Sequence, residues 1–170
     1  MKITSRMKKL LNDQITMEGF ASSYYLSMAS WAEITGYEGA AAFFFAQADE
    51  ERLHMLKIIH FLNGLGVEAT IPTIKQSPKG FKSFESLFKI ALKNEQAVTN
   101  SIHKMVEIAQ KEKDHSSFDF LQWFVKEQVQ EETKFETILQ KFNLIGRDKL
   151  AINEIDKSLA SMGAEAPAAN

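Results

Sequence analysis

Glycine and proline are scarce in this chain, and that scarcity limits the folds open to it. Only eight glycines and three prolines occur in 170 residues, most of them near 36–39, 64–80, 146 and 163–167. The long stretches between are rich in Ala, Leu, Glu, Lys, Gln and Met, which favour helix. An all-α fold is therefore predicted, with four long helices over residues 4–35, 38–65, 83–112 and 116–144.

The connections between these helices predict how they are arranged. Each helix is about 42–48 Å long, and the first and third connections are short, so the helices they join should form antiparallel hairpins. The middle connection, residues 66–82, is long enough to cross from one end of the bundle to the other. We therefore expect a four-helix bundle with one long crossover between the second and third helices. A shorter fifth helix is expected over 148–161.

Residues at the predicted helix ends support these boundaries. Good N-cap residues occur at Ser83 and at either Asp114 or Ser116. Glycines suited to ending a helix are Gly36, Gly64 and Gly146. We expect one domain over residues 1–163 and a disordered tail over 164–170.

Composition excludes several classes of function. The chain has no cysteine, so it has no disulfide framework, thiolate zinc site, iron–sulfur cluster or cysteine nucleophile. A net charge of −2 gives no basic field to attract nucleic acid. No run of about 18 apolar residues predicts a membrane span. The N-terminus lacks the apolar segment of a secretory signal, so we expect a cytoplasmic protein with neither nucleic acid nor membrane as partner.

Polar residues interrupt the apolar stripe of every predicted helix near its middle. Stripes with alternating steps of three and four residues mark the buried faces of a bundle. The interruptions are Gln14 and Glu18 in the first helix, Gln47, Glu51 and His54 in the second, Glu95 in the third, and Gln128 and Glu131 in the fourth.

The spacing of these residues is the same in the two halves of the chain. Glu51 follows Glu18 by 33 residues and His54 follows it by 36, and the same two intervals separate Glu95 from Gln128 and from Glu131. A repeated helical hairpin would produce this pattern. Antiparallel packing then brings the polar interruptions to one level of the bundle.

Four buried glutamates at one level need compensating positive charge, because an unpaired buried carboxylate is costly. Two divalent cations would balance them, with Glu51 bridging the two. The Glu51-x-x-His54 spacing directs both side chains from one helical face to one centre. Oxygen-rich ligation with a single histidine suits iron or manganese better than structural zinc.

In these segments the sequence resembles the bacterial non-haem ferritins. The resemblance extends over about residues 5–160. It is carried by EGAAAFF at 38–44, ADEERLHM at 48–55, KNEQAVT at 93–99 and FLQWFVKEQVQEE at 120–132. It implies a ferritin-like bundle that assembles into a hollow cage of 24 subunits. Such cages oxidise Fe(II) with O₂ or H₂O₂ and store ferric oxyhydroxide.

The resemblance also implies a role for each residue of the site. The first iron would be held by Glu18, Glu51 and His54, and the second by Glu51, Glu95 and Glu131. Gln128 would lie beside the site, and Tyr25 would form a hydrogen bond there and assist fast oxidation.

A third iron position is implied by Glu50, Glu127 and Gln130. The last of these is a departure, because the family's carboxylate is replaced by a neutral amide, so tight binding is expected at two positions only. Arg52 stands where haem-containing bacterioferritins carry methionine, so no haem is expected.

Two other functions remain open on the sequence. A di-iron oxygenase or peroxidase would need an organic-substrate pocket and usually a second Glu-x-x-His, where this chain has Gln128-x-x-Glu131. A metal-free bundle serving only assembly would bind no iron and would tolerate neutralisation of the four glutamates.

Overall fold

A computed structural model describes residues 3–164 of the chain, and within that range it contains helices and no strand. The helices are α1 (Ser5–Thr35), α2 (Glu38–Gly64), α3 (Phe84–Glu112), α4 (His115–Ile145) and α5 (Lys149–Ala164). All five predicted helices are confirmed, with ends within three residues of those expected. Apart from Ala164, which ends α5, the tail predicted over 164–170 lies outside the described residues.

Side-chain caps explain where α3 and α4 begin. Ser83 and Ser86 form a reciprocal capping box at the start of α3. At the start of α4 the cap is Asp114, whose carboxylate accepts a hydrogen bond from the Ser117 amide at 3.0 Å. Of the two N-caps proposed for this helix, Asp114 is therefore the one used.

Glycines end α1 and α4 as expected, but not α2. Gly36 has a φ of 90° and lies in the left-handed region that favours glycine. Gly146 also has a positive φ, of 94°. Gly64, predicted as the stop of α2, is instead its last helical residue, and the chain turns at Gly66, with a φ of 73°.

The long connection between α2 and α3 runs along the outside of α1. The Thr70 amide donates a hydrogen bond to Asn12 at 2.6 Å, and the Ser77 hydroxyl donates to Ser23 at 2.9 Å. The segment thus passes from the beginning of α1 towards its end. Phe84 then stacks on Tyr37 with ring centroids 4.3 Å apart, which places the starts of α2 and α3 at the same end of the bundle. The predicted crossover is confirmed.

The interior is divided into two apolar clusters. One is rich in aromatic rings and contains Tyr25, Phe44, Phe88, Phe135 and Phe142. The other, mainly aliphatic, includes Leu11, Ile15, Ile58, Ile102 and Phe124. Between them lies the level at which every long helix carries a polar residue on its buried face.

The fifth helix packs across the start of α2. The Asp156 carboxylate accepts hydrogen bonds from the Gly39 and Ala40 amides at 3.1 and 2.8 Å. A Cβ on Gly39 would lie 1.8 Å from the Asp156 carbonyl oxygen, so only glycine allows this approach. Among the described helices, none is both long enough and apolar enough to cross a membrane.

Candidate metal centre

Polar side chains from all four long helices meet in one buried layer at mid-bundle. The predicted stripes are the buried faces, so the acids are carried inward by the apolar residues on either side. No ionisable residue of the layer exposes more than 4% of its surface; the five are Glu18, Glu51, His54, Glu95 and Glu131.

The half of the layer built by α1 and α2 is short of hydrogen-bond donors. Ligand atoms of Glu18, Glu51 and His54 all lie within 4.8 Å of one another, and His54 Nδ1 is 3.4 Å from Glu51 Oε2. Gln14 donates one hydrogen bond to Glu18 Oε1 at 2.8 Å. Among the described side chains, Glu18 Oε2 and Glu51 Oε1 are buried with no hydrogen-bond partner. We call this group the first position.

The half built by α3 and α4 is supplied with donors. Tyr25 donates a hydrogen bond to Glu95 Oε1, and Gln128 donates to Glu95 Oε2 at 3.2 Å. Lys134 Nζ donates to both oxygens of Glu131, at 2.9 and 3.0 Å. We call Glu95 and Glu131, with the shared Glu51, the second position.

Burial makes the charged form of these carboxylates unfavourable. It raises the pKa of Glu18 well above the ordinary value, and the nearby Glu51 carboxylate adds to the shift. Burial and then Glu95 raise the pKa of Glu51 in the same way. Burial also raises the pKa of Glu95, and that of Glu131 to about 8. A divalent cation would reverse these shifts, since it stabilises the ionised form.

Tyr25 is held rigidly beside the second position. Its ring lies between those of Phe44 and Phe135, with centroids 5.8 and 6.0 Å away. Burial and then the Glu95 carboxylate raise its pKa well above the ordinary value. The phenol therefore stays protonated and continues to donate to Glu95. This is the hydrogen bond that the resemblance implied.

An open cavity of about 220 Å³ adjoins the layer next to Glu131. Its lining includes Glu50, Glu127 and Gln130, the three residues expected to form a third iron position. Ligand atoms of Glu50 and Glu127 also lie within 4.8 Å of one from His54. The residues predicted to form a third iron position thus line one cavity, with Glu50 and Glu127 half-buried and Gln130 exposed.

Lys134 was not anticipated from the sequence, yet it joins the cavity to the second position. Besides Glu131, its ammonium donates to Glu50 Oε2 at 3.1 Å. Burial lowers its pKa, but attraction to Glu131 and Glu50 outweighs this and leaves the pKa raised. Gln47 donates a second hydrogen bond to Glu50, at 2.7 Å.

Arg52, the residue from which we expect no haem, lies exposed on α2. On the α4 side, the Trp123 ring meets the His54 ring edge to face with centroids 5.4 Å apart. Lys57 Nζ lies 4.2 Å from the centroid of the Trp123 ring.

A comparison with known protein families matches this arrangement. The Ferritin-like domain family matches residues 8–145, which is most of the chain and includes every residue of the buried layer. The chain belongs to the ferritin family. Membership of this family accounts for the crossover topology and for the acids that four helices place at one level.

Individual relatives agree. A bacterial non-heme ferritin of Campylobacter jejuni is 42% identical over 144 residues, covering 85% of this chain and 86% of the relative. A probable bacterial non-heme ferritin-like protein of Haemophilus influenzae is 37% identical, covering 96% of this chain and 99% of the relative. Among solved structures, the open pore ferritin from the archaeon Archaeoglobus fulgidus superposes with a TM-score of 0.91 at 36% identity, covering 94% of this chain and 98% of that one.

Proposed function

We propose that this ferritin stores iron, and that it oxidises Fe(II) to Fe(III) at a pair of adjacent positions in the buried layer. The observation that carries the proposal is the first position, where two buried carboxylate oxygens lack a hydrogen-bond partner beside His54. Buried acceptors without donors are rare in proteins and costly. A divalent cation held by these two carboxylates and His54 would take the place of the missing donors.

Fe(II) is the substrate, and the ligands divide between two ions. Glu18, Glu51 and His54 would bind the first ion, and Glu95 and Glu131 the second, with Glu51 bridging. Four carboxylates then balance two divalent charges, and the single imidazole completes an oxygen-rich site suited to iron. When the second ion binds, Lys134 would give up one of the two Glu131 oxygens and keep its contacts with the other oxygen and with Glu50.

Oxidation removes one electron from each Fe(II). Two electrons and two protons convert O₂ to H₂O₂, and the same numbers convert H₂O₂ to two molecules of water. Pairing the ions lets one oxidant accept both electrons in a single encounter. Gln128 and Tyr25 hold Glu95 in place through hydrogen bonds, and neither has to give up a proton.

The product must leave the site for storage to continue. Fe(III) would leave the buried layer through the cavity lined by Glu50 and Glu127. We propose that it is then deposited as ferric oxyhydroxide inside a cage of 24 subunits. The lining combines three carboxylates and two amides with apolar residues such as Phe43 and Met162, and its oxygen atoms are ligands that a departing cation can use. The oxygenase alternative would usually need a second Glu-x-x-His, where this chain has Gln128-x-x-Glu131.

Stopped-flow absorbance after addition of Fe(II) tests the proposal. We expect His54→Ala to slow the initial oxidation at least about 100-fold, because losing even an indirect partner of a metal ligand costs about 10- to 100-fold. His60→Ala is the matched control, since His60 is exposed on the same helix. An unchanged rate in His54→Ala would refute the site.

Electron microscopy of the same preparation tests storage. We expect hollow particles that fill with an electron-dense core after iron loading. Particles that bind iron without forming a core would leave the site standing and refute storage. Protein that binds no iron would support the metal-free bundle.

A further inference from the structure

Lys134 differs from the other lysines that form ion pairs in the described part of the chain. Lys9, Lys89 and Lys157 leave 62–75% of their side chains exposed, and each pairs with a residue of its own helix. Lys134 is 24% exposed, and its partner Glu131 is 0% exposed. Exposed pairs contribute little, whereas a cation that reaches a buried carboxylate offsets a large cost.

The ammonium of Lys134 donates hydrogen bonds to carboxylate oxygens from two helices. Its three contacts are both oxygens of Glu131, from α4, and Glu50 Oε2, from α2, at 2.9–3.1 Å. An ammonium has three N–H donors, so these contacts use its full capacity. The remaining neighbours in the cavity lining include Glu127, with which it has no hydrogen bond, and the neutral Gln130.

We propose that the Lys134 ammonium, held between Glu50 and Glu131, takes the place of a metal ion at the third position. It thereby restricts tight metal binding to the first and second positions. The proposal rests on the proposed function, because it concerns the ions that the same site takes up. It makes Lys134 a residue that determines metal stoichiometry. Lys134 and the neutral Gln130 then act in the same direction. The missing carboxylate and the added ammonium both lower the affinity of the third position for a metal ion.

Space alone does not prevent a third ion from binding there. The cavity holds about 220 Å³, and a water molecule takes about 30 Å³ of liquid volume, so an ion with several waters fits. Ligand atoms also lie close enough together, because one atom each of Glu50, His54 and Glu127 falls within 4.8 Å of the others. What opposes the third ion is the positive charge already present and the two carboxylates it uses.

Anaerobic calorimetric titration with Zn²⁺ tests the proposal without any oxidation. The wild-type protein should bind two ions tightly per subunit. Lys134→Met keeps the unbranched stem and removes the charge, and we expect a third ion to bind at least about 10-fold more tightly than it does to the wild type. Lys134→Arg retains the charge and should behave as the wild type. Lys126→Met, at an exposed position of the same helix, is the matched control.

Melting of the metal-free proteins gives a second measurement. Lys134→Met should melt at a lower temperature than Lys126→Met, and added Zn²⁺ should remove the difference. If Lys134→Met is folded by circular dichroism yet has the wild-type Zn²⁺ stoichiometry and affinities, the proposal is wrong, and Lys134 is only a structural ion pair. If the wild type itself binds no Zn²⁺ in the layer, the proposed ferroxidase site fails instead.

Discussion

The two halves of the buried layer both contain glutamates, but they supply these glutamates with different numbers of hydrogen-bond donors. At the first position, Glu18 and Glu51 each have an oxygen without a hydrogen-bond partner among the described side chains. At the second position, Glu95 and Glu131 are met by a phenol, an amide and an ammonium. The protein's own donors therefore compensate the second half more fully than the first. We expect the first ion to bind at the first position.

The pH dependence of stability should separate the halves most strongly. A raised folded-state pKa means that the folded protein holds a proton that the unfolded chain releases, so stability falls as pH rises from the ordinary pKa, near 4.5, to the raised one. For Glu131 the window ends at about 8, and the loss is at most about 5 kcal/mol.

Melting temperatures of the metal-free protein between pH 5 and 8 would measure this fall, and excess Zn²⁺ should reduce it. Glu18→Gln should reduce the dependence of melting temperature on pH more than Glu131→Gln does. The reason is that Lys134 already offsets part of the cost of ionising Glu131. Glu33→Gln, at an exposed position on α1, should leave the curve unchanged. Equal flattening by the first two variants would contradict the comparison.

Metal affinity should show the next largest difference. Glu18→Gln removes a charged ligand of the first position and should weaken the first Zn²⁺ step at least about 100-fold, since even outer-shell partners cost about 10- to 100-fold. Glu131→Gln should spare that step and weaken the second. Anaerobic calorimetry resolves the two steps, and a loss of the first step in Glu131→Gln would reverse the assigned order.

Tyr25→Phe should have a smaller effect, limited to the second position. It removes a donor to a buried carboxylate while leaving the ring stack, so the free energy of unfolding should fall by about 1–3 kcal/mol. Tyr24→Phe is the control, because Tyr24 is half-buried between Phe20 and Phe81. Chemical denaturation measures both. A weakened first Zn²⁺ step in Tyr25→Phe would show that the halves are not separable.

The smallest expected effect is spectroscopic. Trp123 touches His54, whereas Trp31 stacks on Tyr37 near the end of α1. Co²⁺ at the first position should quench Trp123 emission. The quench should survive in Trp31→Phe and disappear in Trp123→Phe. Equal quenching in both variants would argue against binding beside His54.

Much of this arrangement could be predicted because it is local in sequence. Caps such as Ser83 define helix ends within a few residues, and the steps of three and four place Glu95 and Glu131 on buried faces. The position of the turn after α2 was harder to predict, because Gly64 and Gly66 can both adopt a turn conformation. Which of them the chain uses depends on where the last turn of α2 ends.

The partners of long or distant side chains could not be predicted. Lys134 follows Glu131 by three residues, a spacing that permits an ion pair, but its contact with Glu50 depends on how α2 packs against α4. The approach of Asp156 to Gly39 joins residues 117 positions apart. Such contacts follow from tertiary packing, for which no local pattern exists.

The crossover divides the ligands between two fragments of the chain. All three residues of the first position lie before it, in the hairpin of α1 and α2, whereas the second position takes Glu51 from that hairpin and its other two residues from α3 and α4. The ligands of the first ion therefore all belong to one hairpin, whereas those of the second ion come together only where the two hairpins meet. A chain cut within the crossover would keep its first position on one piece, and occupancy of the second would report that the pieces had reassembled.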